Sequence, residues 1–140
     1  MVKTGNELQN YINSKSNGQI NLQSGGSIGS AEFVDESMID IAGQIAGASP
    51  AWISMVIEAL ADGAVFEGMP REMAYKFAAA GVYGAGLMAA ETGGNPGKIK
   101  DMVSSPKGTT IEGIRILEER GVRSAFMDAV IASCENAQKL

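Results

Sequence analysis

The sequence predicts an all-α fold, a bundle of about six helices, and three observations predict it. From Asp35 onward apolar residues recur at helical spacing, beginning with Met38, Ile39, Ile41 and Ala42. Serine, asparagine, proline and glycine punctuate the chain where helices start and stop. No run after residue 35 alternates apolar and polar residues as a half-buried strand would.

Residues 1–30 differ from the rest. They are rich in Asn, Gln, Gly and Ser and carry no core-forming pattern, so they read as a linker, a leader or an added extension. Residues 7–14 have the composition of a short helix, and Asn17-Gly18 that of a turn. Residues 31–140 read as the helical domain. Its first helix is expected to break at AGASP, where Ser49 can cap and Pro50 can open a second helix over residues 51–66. In that second helix Trp52, Met55, Val56, Ala59, Leu60 and Gly63 fall on one side, with Glu58 and Asp62 on another. Gly68 stops it, and Pro70 opens a third helix that ends near Thr92 before Gly93. Asn95-Pro96 starts a short helix over residues 96–102. After the SSPKG loop a helix over residues 109–120 carries Ile111, Ile114 and Leu117 on one face and stops at Gly121. The last runs over residues 122–139.

Composition excludes several kinds of function. A net charge of −5 and a pI near 4.7 argue against nucleic acid or an anionic membrane as partner. With no histidine, the commonest general base and the commonest metal ligand are both missing, and no metal site is expected. The one cysteine, Cys134, forms no internal disulfide and suits the cytoplasm, where the chain is expected. Residues 77–90, FAAAGVYGAGLMAA, form the most apolar stretch by this reading. They are too few to span a bilayer, which needs about 20 residues. Small side chains there imply a helix with a close neighbour, and the surplus of apolar faces implies an obligate homodimer.

The segment that carries chemistry is SSPKGTTIEG, residues 104–113. Pro106 and Gly108 shape a tight loop, and Thr109-Thr110 open a helix. Free N–H groups and the helix dipole converge there and suit a carboxylate or a phosphate. The hydroxyls of Ser105, Thr109 and Thr110 add donors. Simple helix capping accounts for the same residue types. GASPAW, residues 47–52, is a second candidate, and capping with packing of Trp52 accounts for it as well.

The run NPGKIKDMVSSPKGTTIEGIRILEERGVRSAFMDAVIAS, residues 95–133, resembles the signature of the pyrroline-5-carboxylate reductase family, which reads HPxxLxxxVxSPGGTTIxGLxxLExxGxRxAxxxAVxAA. Upstream, FVDESMIDIAGQIAGASPAWISMVIEALADGAVFEGMPREMA is similar to the family's DAVTALSGSGPAY segment and the helices after it. The likeness extends over residues 27–140. It implies the C-terminal helical domain of an enzyme that reduces 1-pyrroline-5-carboxylate to L-proline with NAD(P)H. In that family an N-terminal Rossmann domain holds the cofactor, and the helical domain makes an interlocked homodimer, often assembled into higher oligomers. By the same likeness the substrate carboxylate lies on Ser105, Gly108, Thr109 and Thr110, with Thr110 near the ring nitrogen as the catalytic residue.

Three departures qualify the likeness. No Rossmann fingerprint is visible, since Gly81, Gly84 and Gly86 fall inside a helix, so this chain alone is expected to bind no cofactor and to be inactive. Lys107 stands where the family has glycine; a positive φ there strains the loop, and any other φ leaves its ammonium to add to the anion site. Ala46, Ala48 and Ser49 replace two serines and a glycine of the family's second pocket wall. Two alternatives stand beside the enzyme-derived reading: a helical oligomerisation scaffold with no catalytic role, and a small binding protein for proline-like acids.

Overall fold

The computed structural model describes residues 35–93 and 95–139. The expectations for residues 1–30 lie outside them. Among the described residues there is no strand. After a 3-10 turn, Glu36–Met38, come five α-helices: α1 Ile39–Phe66, α2 Arg71–Glu91, α3 Pro96–Met102, α4 Thr109–Glu119 and α5 Val122–Ala137.

The expected break at AGASP is corrected. Helix α1 runs 28 residues with Pro50 inside it, so two expected helices are one. A proline removes one ladder donor and crowds the preceding turn. Ending the helix there would orphan donors and acceptors on both sides, in a stretch with few polar side chains to satisfy them. Ser49 is therefore a helical residue and not a cap. A second correction follows from this continuity. The helical stretch Glu36–Phe66 is long and apolar enough, by length and composition, to cross a membrane, a candidate that the expected break at AGASP had divided.

The chain divides into two units. One takes the chain up to Pro50 together with Met127 onward; the other is Ala51–Phe126. In the first, the Ser133 hydroxyl donates to Gln44 Oε1 at 2.8 Å, tying α5 to the start of α1.

The second unit is built on the α1–α2 hairpin. Gly68 has φ +99°, and around it Met69 N–H donates to Ala64 O and Gly68 N–H to Val65 O, each at 2.9 Å. This pair of bonds is the Schellman arrangement, which turns the chain out of a helix while satisfying its last carbonyls. Pro70 then precedes α2, as its fixed φ favours. The turn brings Ala61 of α1 onto Ala74 and Ala78 of α2, and these three are the buried side chains of the described residues. Ile57, Ala64, Val65 and Met69 pack round them. Alanine at all three positions lets the two backbones approach closely. Arg71 clamps the same corner, paired with Asp62 and lying 5.4 Å from the Tyr75 ring centroid. Its hydrogen bond to Asp62 raises its pKa further above a value that already keeps it charged.

The side of α1 that carries Trp52, Met55, Val56, Ala59, Leu60 and Gly63 is not the one that meets α2, since the packed cluster takes Ile57, Ala61, Ala64 and Val65 instead. Met55 and Leu60 are 68% and 53% exposed, and Ala59 and Gly63 are exposed too. The reason is that α1 is apolar on nearly all sides, so periodicity finds an apolar face without deciding which one α2 takes. Among the described residues, nothing beyond the helix's own backbone lies within 4 Å of where a Cβ would stand at Gly81, Gly84 or Gly86 of α2.

The remaining junctions follow the sequence signals. Asn95 Oδ1 accepts from Lys98 N–H at 3.2 Å, with Pro96 in the first turn. Thr92 Oγ1 donates to Met88 O at 2.7 Å to finish α2, and Gly121 with φ +69° divides α4 from α5.

Candidate functional site

The loop between α3 and α4 is a turn whose conformation follows from its residues. Ser104 Oγ donates to Lys100 O at 2.6 Å and finishes α3. Ser105 O then accepts from Gly108 N–H at 3.0 Å, which closes residues 105–108 into a turn. Pro106 occupies its second position and Lys107 its third, where φ is +60°. Proline followed by a positive φ is the pattern of a type II turn, whose third residue is ordinarily glycine. Lys107 is the one non-glycine residue with positive φ among the described residues. The condition under which lysine strains this loop is therefore met, at about 1–2 kcal/mol for a residue bearing a Cβ.

Gly108 is needed for a different reason. Its φ of −75° suits any residue, but a Cβ there would run into Ser105 Oγ and come within 3.1 Å of Ser105 O. As the residue before α4 it has no side chain with which to cap the helix, and no other side chain caps it. The first-turn amides of α4 therefore keep their donors, which the capping explanation of the loop would have taken away. Thr109 and Thr110 are the first two residues of that helix, and both are exposed, as is Ser105; Gly108 is half-buried. The four expected site residues thus share one turn and one helix start. The arrangement offers backbone N–H groups, three hydroxyls and the positive end of a helix dipole, a set suited to holding a small carboxylate.

One contributor went unnoticed in the sequence. Glu112, the acid in the first turn of α4, would compete for those amides. Arg115 draws it away, donating to Glu112 Oε1 from Nη2 at 2.6 Å and from Nε at 3.0 Å, and it also pairs with Glu119. Both carboxylates raise the guanidinium's pKa, Glu112 the more. The spacing of 112, 115 and 119 was a legible sign of this, since residues three and four apart are neighbours on a helix.

The second candidate does not form a loop. Residues 47–52 lie within α1, with Ala46, Ala48 and Ser49 half-buried on it. Residues 47–50 belong to the first unit, and residues 51–52 and 105–110 to the second. No three His, Cys, Asp or Glu residues among the described ones gather as metal ligands do. The described residues do not fit a dinucleotide either. It calls for a strand leading through a glycine-rich turn into a helix, whereas Gly81, Gly84 and Gly86 lie inside α2.

Among the described residues, five helices, one small hairpin core and a wealth of exposed apolar surface define an α-helical association domain that carries a loop suited to an anion. A family model described as pyrroline-5-carboxylate reductase dimerisation matches residues 36–140. Over 113 residues the chain is 54% identical to a pyrroline-5-carboxylate reductase of Methanosarcina acetivorans, covering 81% of this chain and 42% of that protein. It is 52% identical over 112 residues to that of Escherichia coli, covering 80% and 42%. Among solved structures, 1-pyrroline-5-carboxylate reductase from Streptococcus pyogenes superposes with a TM-score of 0.74 at 31% identity, covering 80% of this chain and 43% of that one. The pyrroline carboxylate reductase of Plasmodium falciparum, solved with NADP bound, gives 0.72 at 31% identity, covering 79% and 45%. The chain belongs to the pyrroline-5-carboxylate reductase dimerisation family, and it spans about two fifths of the length of the relatives it matches.

Proposed function

We propose that this chain serves as the dimerisation and substrate-holding part of a pyrroline-5-carboxylate reductase, which reduces 1-pyrroline-5-carboxylate to L-proline with NAD(P)H. The observation that carries the reading is the loop ahead of α4. It keeps a glycine where a Cβ would crowd Ser105, it leaves the helix amides uncapped, and its two threonines open the helix.

In this reading the amides of Gly108, Thr109 and the residues after them hold the substrate carboxylate, and Ser105 and Thr109 add hydroxyl donors. The Thr110 hydroxyl, on the first turn of α4, holds the ring nitrogen in place and is the residue nearest the chemistry. The nicotinamide supplies the hydride, and the residues that bind it are not among those described. The apolar side of α1 that does not meet α2 is assigned to a second copy of the chain rather than to lipid, in line with a family named for dimerisation. The parent enzyme is placed in the cytoplasm as a homodimer or a higher assembly.

Titration of the chain with L-proline while backbone amides are followed by NMR tests this. The amides of residues 107–111 should shift with millimolar to micromolar affinity, the range open to so small a ligand. Thr110→Val, which keeps the shape and removes the hydroxyl, should weaken binding by about 1 kcal/mol. If those amides stay still at tens of millimolar proline, the scaffold reading replaces this one.

A further inference from the structure

We infer that Lys107 is a specificity-determining residue of the carboxylate site, an added cation that glycine-bearing relatives of the family pattern lack; this rests on the reading of that loop given above. The charge distribution points to it. The whole chain carries a net charge of −5, yet residues 92–111 hold Lys98, Lys100 and Lys107 against one acid, Asp101. Asp101 is already bonded to Lys100 at 2.6 Å, which leaves Lys98 and Lys107 in excess.

The next acid along, Glu112, is held by Arg115. Lys107 is exposed and takes part in no ion pair or hydrogen bond among the described residues. It lies two residues before Thr109, the first residue of α4, where the helix dipole is positive. A cation at that end is electrostatically unfavourable, and φ of +60° adds backbone strain. Neither makes for a stable empty loop. Both unfavourable charges, dipole and ammonium, become favourable when a carboxylate lies between them. The flexible four-carbon stem lets the ammonium range over the mouth of the helix end without a fixed geometry. Its contribution is that of an exposed charge: modest, and screened by salt.

The test is an L-proline titration of the 140-residue chain by NMR at about 20 mM and about 500 mM salt, across which screening removes most of such an effect. Lys107→Gln keeps the Cβ and the strained φ and removes only the charge; Lys107→Arg restores the charge. Circular dichroism of each variant checks that helix content is unchanged. At low salt Lys107→Gln should bind about two- to fivefold more weakly than the unaltered chain, and Lys107→Arg about as tightly. At high salt the three should converge. Equal affinity of Lys107→Gln and the unaltered chain at low salt overturns the inference while leaving the carboxylate site standing. Absence of any shift in the unaltered chain at either salt removes the site itself, and the inference with it.

Discussion

Within the Ala51–Phe126 unit, the α1–α2 hairpin and the turn leading into α4 are built in opposite ways. The hairpin holds every buried side chain of the described residues, closed by a Schellman turn and clamped by Arg71 on Asp62. The turn and α4 bury none; they rest on one backbone hydrogen bond, one lysine in the left-handed region and surface ion pairs of Arg115. The difference separates stability from function. The hairpin tolerates little change because two backbones meet there through methyl groups. The turn spends conformational energy to leave donors exposed, as binding loops on a rigid support do.

The largest effect is expected where the hairpin turns outward. Leu60 is 53% exposed on the side of α1 that does not meet α2, and Leu60→Asp would place an uncompensated carboxylate in a chain-to-chain contact. Dimer affinity should fall by roughly 3 kcal/mol or more. Light scattering should then give a mass near 14.6 kDa at concentrations where the unaltered chain gives twice that. An unaltered chain that is already monomeric at micromolar concentration would erase the distinction between the two faces of α1.

On the inner face, Ala61 is fully buried, so Ala61→Leu should overpack the hairpin and destabilise the fold by about 1–3 kcal/mol. Denaturant unfolding at fixed protein concentration reads this, and no change in midpoint would mean that α1 and α2 are loosely packed. In the turn the sign reverses. Lys107→Gly relieves the positive φ and should stabilise the chain by about 0.5–1 kcal/mol, after allowing for glycine's extra freedom when unfolded. A loss of stability would show that the lysine stem packs where the backbone alone does not reveal it.

Smallest of all is Arg115→Gln. The pairs with Glu112 and Glu119 are half-exposed, so the fold should lose no more than about 0.5 kcal/mol, and less in high salt. The same change releases Glu112 to compete for the α4 amides, so proline binding should weaken more than stability does. Equal small losses in both would mean that Glu112 stays away from the helix end by itself.

Much of this architecture was written locally. Asn95 and Pro96 start α3, Gly68 and Gly121 mark their turns, and the residues of the loop ahead of α4 are contiguous, so that loop could be picked out as a candidate before any packing was known. These signals act within a turn of their own position: a side chain caps the next amides, a glycine accepts a positive φ, a proline presets one. The 112–115–119 spacing was equally local and was simply passed over.

Three features lay beyond such signals. Pro50 carries every mark of a helix start, yet α1 continues through it, because keeping the ladder intact on both sides outweighs one missing donor. Periodicity placed Trp52 and Leu60 on one apolar side of α1 without saying what covers it, and it is Ala61, off that side, that meets Ala74 and Ala78; on a helix apolar nearly all round, the partner decides which face is buried. At Lys107 the residue type argued against a positive φ, and the turn closed by Ser105 and Gly108 imposed it. Composition and spacing determine which segments are helical and which turn leads into an uncapped helix start. Which surfaces meet, and where strain is accepted, are settled only when distant segments compete for the same space.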